Sequence, residues 1–204
     1  MSERPSQLPV LVAMTGATGA IYGIRLLEVL RELEVETHLV VSRWAEATIK
    51  AETDRRVDDV RALAGVVHDE DDLSAPPATS AFATAGMVVA PCSMRTLAAV
   101  ANGITDNLVQ RAAAVHLQEG RRLLLLVRES PLSVIHLENM LRVAKAGAVV
   151  APPVPAFYAK LQSLDEMVDH TVGRALDQLG VEHERIRRWG ERRAALRAVR
   201  PDEA

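Results

Sequence analysis

Apolar runs alternate with helix-patterned stretches along most of this chain, and that alternation leaves few folds open. "LPVLVAMT" (8–15), "VETHLVVS" (35–42), "GMVVAPCS" (86–93), "RRLLLLVRE" (121–129) and "AVVAPPV" (148–154) each read as a largely apolar strand. Helical patterns separate them. The first, 19–34, carries Ile24, Leu27 and Leu30 at helix spacing. Others run over 43–53, 57–64, 94–102, 106–119 and 133–147, and a last one over 163–180. Strands without polar alternation are buried on both faces, so helices must cover the sheet above and below. The sequence therefore predicts a doubly wound, Rossmann-like parallel sheet, a three-layer α/β/α single domain. Residues 8–182 are assigned to that domain and 183–204 to a charged C-terminal tail. After the short helix at 57–64, "VVHDEDDLSAPPATSAF" is acidic and rich in Pro and Ser, and it reads as a loop.

Helix ends are signalled locally. Ser133 is a candidate N-cap, with Gly147 just past that helix's end. Ser163 and Glu166 have capping-box spacing, and Gly180 closes the last helix. The single cysteine, Cys92, excludes a disulfide framework and a Cys-rich metal centre. A net charge of -3 and 3% aromatic residues argue against nucleic-acid binding. No run of 18 apolar residues marks a membrane span, and the start lacks a signal-peptide pattern. The expectation is a cytoplasmic protein with neither nucleic-acid nor membrane partner.

Ligands of open parallel sheets sit beyond the carboxyl ends of the strands. That rule selects "TGATGA", "SRW", "PCSMRT", "VRES" and "PPVPAFY". Gly16, Ala17 and Thr18 form a tight strand-to-helix turn whose N–H groups suit phosphate. The turn also serves any parallel sheet without a ligand. It is not G-x-G-x-x-G, and Ser42 and Arg43 stand where an NAD site wants an acid, leaving an NADP site weakly open. Ser93, Met94, Arg95 and Thr96 open a helix and suit a phosphate or the polar edge of a flavin, or simply an N-cap. Cys92 at that strand end fits packing better than nucleophilic catalysis. Asn107, Arg111 and Gln118 share a helix face aimed inward. With Arg128 and Glu129 they suit a phosphate grip with a proton-handling carboxylate, or a structural ion pair. Tyr158 in the Pro-rich loop and Arg174 on the last helix complete an anion pocket or, alternatively, pack and solvate. His68, His116 and His136 lack metal-ligand spacing, so no metal is expected.

"MTGATGA.YG.RLL", "ETHLVVSRWA", "PCSMRTLAAVANGITDNLVQRAA", "L.LLVRE.PLS.IHLENM", "PPVPAFY" and "GRALDQLGVEHERIRRW" occur in one order from about residue 9 to 189. In this the chain resembles the UbiX flavin prenyltransferases, in particular their phenolic acid decarboxylase branch. The resemblance implies a flavoprotein that takes reduced FMN and dimethylallyl phosphate and joins the prenyl group to flavin N5 and C6. The prenylated FMN then goes to a UbiD-type decarboxylase. The resemblance also implies a homo-oligomer, often a dodecamer, with sites at subunit interfaces and no metal. By position it makes Gly16, Ala17, Thr18, Ser42, Ser93, Met94, Arg95, Thr96 and Arg128 flavin contacts. Arg111, Gln118, Tyr158 and Arg174 become the prenyl-phosphate clamp, and Thr18, Glu129 and Arg111 the catalytic set. Gln118 stands where the family has Lys, Ala114 where it has Asp, and Thr18 where it usually has Ser. Lys160 is the candidate replacement charge. These departures keep a second function open, a flavin-binding accessory subunit or carrier that has lost prenyl transfer. A flavin-dependent cysteinyl decarboxylase and an NADP oxidoreductase rank below both.

Overall fold

The computed structural model describes residues 8–184, so most of the expected tail lies outside the described residues. Contacts divide the chain into two compact units, one through Pro153 and one from Val154.

The first unit is a parallel six-stranded sheet: β1 (Val10–Met14), β2 (Thr37–Val41), β3 (Val66–His68), β4 (Gly86–Cys92), β5 (Leu123–Val127) and β6 (Val149–Val150), ordered β3-β2-β1-β4-β5-β6. Its helices are α1 (Ala20–Glu32), α2 (Arg43–Glu52), α3 (Val57–Arg61), α4 (Met94–Ala101), α5 (Leu108–Gln118) and α6 (Val134–Lys145). All residues of β1, β2, β4 and β5 are buried, which is why those runs carry no polar alternation. Pairing starts at Val10↔Thr37 and Val10↔Gly86. Among the described residues no helix is long and apolar enough to cross a membrane.

Two strands differ from the sequence expectation. The acidic loop begins with a strand, β3, paired through His38↔Val66. It is a three-residue edge strand with Val66 and Val67 exposed, so it lacks the long apolar run that marks the buried strands. The last strand is two residues rather than seven, since Pro152 and Pro153 have no N–H to continue a ladder. Ser133 caps α6 as expected, with the His136 ring returning the bond.

β4 is irregular where the site begins. Its register against β5 shifts between Val89 and Cys92, around Pro91. The Pro91 carbonyl accepts the Thr15 N–H at 3.2 Å and the Thr15 hydroxyl at 2.8 Å. Thr15 Oγ1 in turn accepts the Ser93 N–H at 2.8 Å. The ends of β1 and β4 are thereby tied into one unit. Below them α1 lies against β4 at Gly23, where a Cβ would stand 2.3 Å from the Ala90 carbonyl oxygen.

His116 on α5 is 1% exposed. Its Nδ1 donates to the Ala112 carbonyl at 2.7 Å, so Nε2 accepts from the Thr84 hydroxyl at 2.8 Å. Burial pushes its pKa below the ordinary value, against the Ala112 bond and with help from Arg121. A folded-state pKa below the unfolded one makes the unfolded chain bind more protons. The associated stability is full above the unfolded value of about 6.5 and is lost as pH falls toward the folded one. Chemical denaturation between pH 7.5 and 5 is expected to show stability falling on acidification. His116→Gln is expected to flatten that slope, and an unchanged slope refutes the assignment.

The second unit holds a 3-10 turn, Phe157–Ala159, and α7 (Leu164–Leu179). The Ser163 hydroxyl accepts the Glu166 N–H at 3.1 Å, but the Glu166 carboxylate takes the Gln162 N–H at 2.7 Å. The reciprocal half of the expected capping box therefore falls one residue earlier. Gly180 ends α7 with φ 73°, a left-handed conformation that glycine adopts without a Cβ penalty.

Candidate active site

The strand order reverses between β1 and β4, and in such sheets a crevice opens there. A cavity of about 450 Å³ lies at the carboxyl ends of the strands. Its wall gathers Gly16, Ala17 and Thr18 after β1, Ser42 after β2, Ser93 through Thr96 after β4, and Arg128 and Glu129 after β5. Thr15, Trp44, Glu70, Asn107 and Gln110 complete it.

Four helices begin at this wall, α1, α2, α4 and α5, and each brings the partial positive charge of its N-terminus. Their first-turn N–H groups are the donors to account for. On α4 the Ser93 hydroxyl accepts from Thr96 N–H at 3.2 Å, which leaves the Met94 and Arg95 N–H groups for an anion. On α5, Asn107 accepts from Gln110 N–H at 3.0 Å. On α2, Ser42 accepts from Ala45 N–H at 3.1 Å.

The α1 turn differs from the sequence expectation of open N–H groups. The Glu52 carboxylate, from the end of α2, accepts Gly19 N–H at 2.8 Å and Ala20 N–H at 3.0 Å. Its other oxygen accepts the Thr18 hydroxyl. Thr18 is thus oriented by a carboxylate 34 residues away, a residue the sequence did not single out. Gly16 is required by packing, since a Cβ there would stand 2.3 Å from the Trp44 Cβ. Glu70 is the second carboxylate that the sequence passed over. Its Oε2 accepts Arg43 N–H at 2.9 Å, and its carbonyl accepts Leu108 N–H at 2.7 Å. Burial, reinforced by Asp71, Asp69 and Glu46, raises its pKa against the lowering effect of the Arg43 bond.

Arg111 does not line this cavity. Its Nε donates to the Ala78 carbonyl at 3.0 Å, while its helix neighbours Asn107 and Gln110 reach the wall. Gln118 is exposed at the far end of α5. Tyr158 and Arg174 belong to the second unit. There Tyr158 Oη lies 3.4 Å from His170 Nε2, and Arg174 pairs with Asp177 at 3.2 Å. Cys92 is fully buried and its thiol pKa is pushed up to about 12, so it is packing rather than nucleophile. Among the described residues no group of three or more His, Cys, Asp and Glu could hold a metal ion.

Such a wall, with helix termini, hydroxyls and an arginine around a polar cavity, suits a phosphate-bearing ligand. Comparison with known proteins points the same way. The flavoprotein family pattern matches residues 1–176. A probable UbiX-like flavin prenyltransferase of Streptomyces is 53% identical over 192 residues, covering 94% of this chain and 96% of its own. The flavin prenyltransferase UbiX of Archaeoglobus fulgidus is 50% identical over 180 residues, covering 88% and 98%. A UbiX crystallised with FMN and dimethylallyl pyrophosphate superposes with a TM-score of 0.88 at 54% identity, over 90% of this chain and 97% of that one. A dodecameric, FMN-dependent UbiX-like protein of Escherichia coli gives 0.87 at 51%, over 89% and 99%. A family match over residues 1–176, with relatives about half identical over most of both chains, leaves one assignment: the chain belongs to the flavoprotein family, among its UbiX-like flavin prenyltransferases.

Proposed function

We propose that the protein joins the dimethylallyl group of dimethylallyl phosphate to N5 and C6 of reduced FMN, and that the prenylated FMN passes to a UbiD-type decarboxylase. The observation that carries this is the cavity at the β1/β4 reversal, where hydroxyls, open helix-terminal N–H groups and Arg128 meet. It fits FMN in chemistry and in size, since about 450 Å³ is within the usual range for small-ligand sites. Bound there, FMN supplies the nucleophilic ring. The chain's own residues hold, orient and neutralise. Met94 and Arg95 N–H groups with the Ser42, Ser93 and Thr96 hydroxyls bind the flavin's polar parts. Arg128 offsets the charge of the phosphate that leaves as the allylic C–O bond breaks. Thr18, fixed by Glu52, and Glu129 handle protons at the ring edge.

Of the remaining clamp residues, Arg111 and Gln118 do not line the first unit's cavity, and Tyr158 and Arg174 belong to the second unit. We assign them to the cavity of a neighbouring copy in a homo-oligomer of dodecameric type, so that each site is completed across an interface. The Escherichia coli relative is described as dodecameric, which supports that arrangement. Within this reading the protein works in the cytoplasm and needs no metal.

The test is anaerobic incubation of the purified protein with reduced FMN and dimethylallyl phosphate, followed by mass spectrometry of the flavin. One added five-carbon unit is the expected result. FMN bound but unmodified, under conditions where a control prenyltransferase works, overturns the assignment and selects a flavin carrier.

A further inference from the structure

Two carboxylates occupy anion positions of the candidate site. Glu52 serves Thr18 and is accounted for by that contact. Glu70 has no such client. It stands in the loop after β3, half-buried, with its carboxylate on the first N–H of α2 beside Ser42 and its face toward the cavity. Its backbone is fixed, because its carbonyl accepts the first N–H of α5. A phosphate drawn to the α2 terminus meets a negative group already seated on that donor. Ser42 caps α2 independently through Ala45, so the helix does not need Glu70 for its terminus.

We propose that Glu70 sets the affinity of the site for the phosphate end of the flavin, holding it low enough for the flavin product to leave. The inference rests on the prenyltransferase reading, in which the flavin is consumed and released rather than kept. A binding site for a resident flavin gains from every open N–H. A site that must hand its flavin on gains from a fixed competitor, because faster release is the main way affinity is lowered. Asp69, Asp71 and Glu46 lie close enough to add to the negative potential at Glu70, while the cations of the cavity wall are Arg95 and Arg128.

The experiment compares oxidised FMN with riboflavin, which lacks the phosphate, by equilibrium titration against wild type, Glu70→Gln and Glu70→Ala. Removing the charge is expected to tighten FMN about tenfold, chiefly through slower dissociation, since an anion at a helix N-terminus then meets no like charge. Riboflavin affinity is expected to stay within about twofold in the same variants, because no phosphate meets Glu70. Thermal melts identify any variant that fails to fold, and either substitution alone suffices. Equal or weaker FMN binding in a folded variant overturns the inference, as does equal tightening of riboflavin. If wild type binds FMN and the variants bind it no better, Glu70 is a helix cap and the prenyltransferase reading stands. If wild type binds no FMN, both fall.

Discussion

Gly23→Ala is expected to cost the fold about 3 kcal/mol, a fall in melting temperature of about 6–12 °C for a chain of this size. The added methyl would stand 2.3 Å from the Ala90 carbonyl oxygen and 3.0 Å from two atoms of the Met14 side chain. Met14 is flexible and can yield. The Ala90 carbonyl cannot yield cheaply, since it belongs to a buried strand held by β1 and β5 and lies next to the irregular segment at Pro91. Relief therefore means moving α1 off the sheet, which also moves the Gly16–Thr18 turn at its start. Differential scanning calorimetry of the variant checks the size of the loss. A melting temperature within about 2 °C of wild type would show that α1 is not seated on β4 as described.

Glu52→Gln is expected to lower prenyl transfer about a hundredfold while leaving FMN affinity nearly unchanged, the range in which a positioned proton-handling group acts. The carboxylate performs three tasks at once, accepting from Thr18, Gly19 and Ala20. An amide has one oxygen to offer. If that oxygen stays with the two N–H groups, its NH₂ donates to Thr18, and the Thr18 hydroxyl changes from donor to acceptor. The turn survives and the hydroxyl is misaligned. Single-turnover measurements on Glu52→Gln, Thr18→Ala and the double variant test the coupling. If the two residues act as one device, the double variant is no slower than the slower single one. Losses that multiply would show that each acts alone.

The sheet was legible because burial on both faces removes the polar alternation, and four of its strands carry that mark undiluted. β3 was illegible for the same reason reversed, as an exposed three-residue edge leaves little hydrophobic signature. The first-unit wall was readable wherever ligand chemistry sits at a strand's end, as at Thr18, Ser93 and Arg128. It was unreadable where a group arrives from elsewhere. Glu52 reaches Thr18 only because α2 runs back past the start of α1, and nothing in "IKAET" reports that. Arg111 shows the converse limit. Helix spacing gives the face it shares with Asn107, but the Ala78 carbonyl that takes its guanidinium ends a 3-10 turn, Pro76–Ala78, 33 residues earlier. Periodicity states which residues look the same way, not what they look at.

The contact under the β1–α1 turn divides freedom unequally between its two partners. A side chain at position 16 is barred by the Trp44 Cβ, an atom that every residue except glycine carries. Beyond that atom Trp44 reaches outward, the residue as a whole being 66% exposed. Among descendants of this sequence, position 16 should therefore stay glycine through long drift, while position 44 accepts many replacements without disturbing the turn. The floor of the crevice is inherited and its rim is open to selection. New ligand preferences are most cheaply acquired at Trp44.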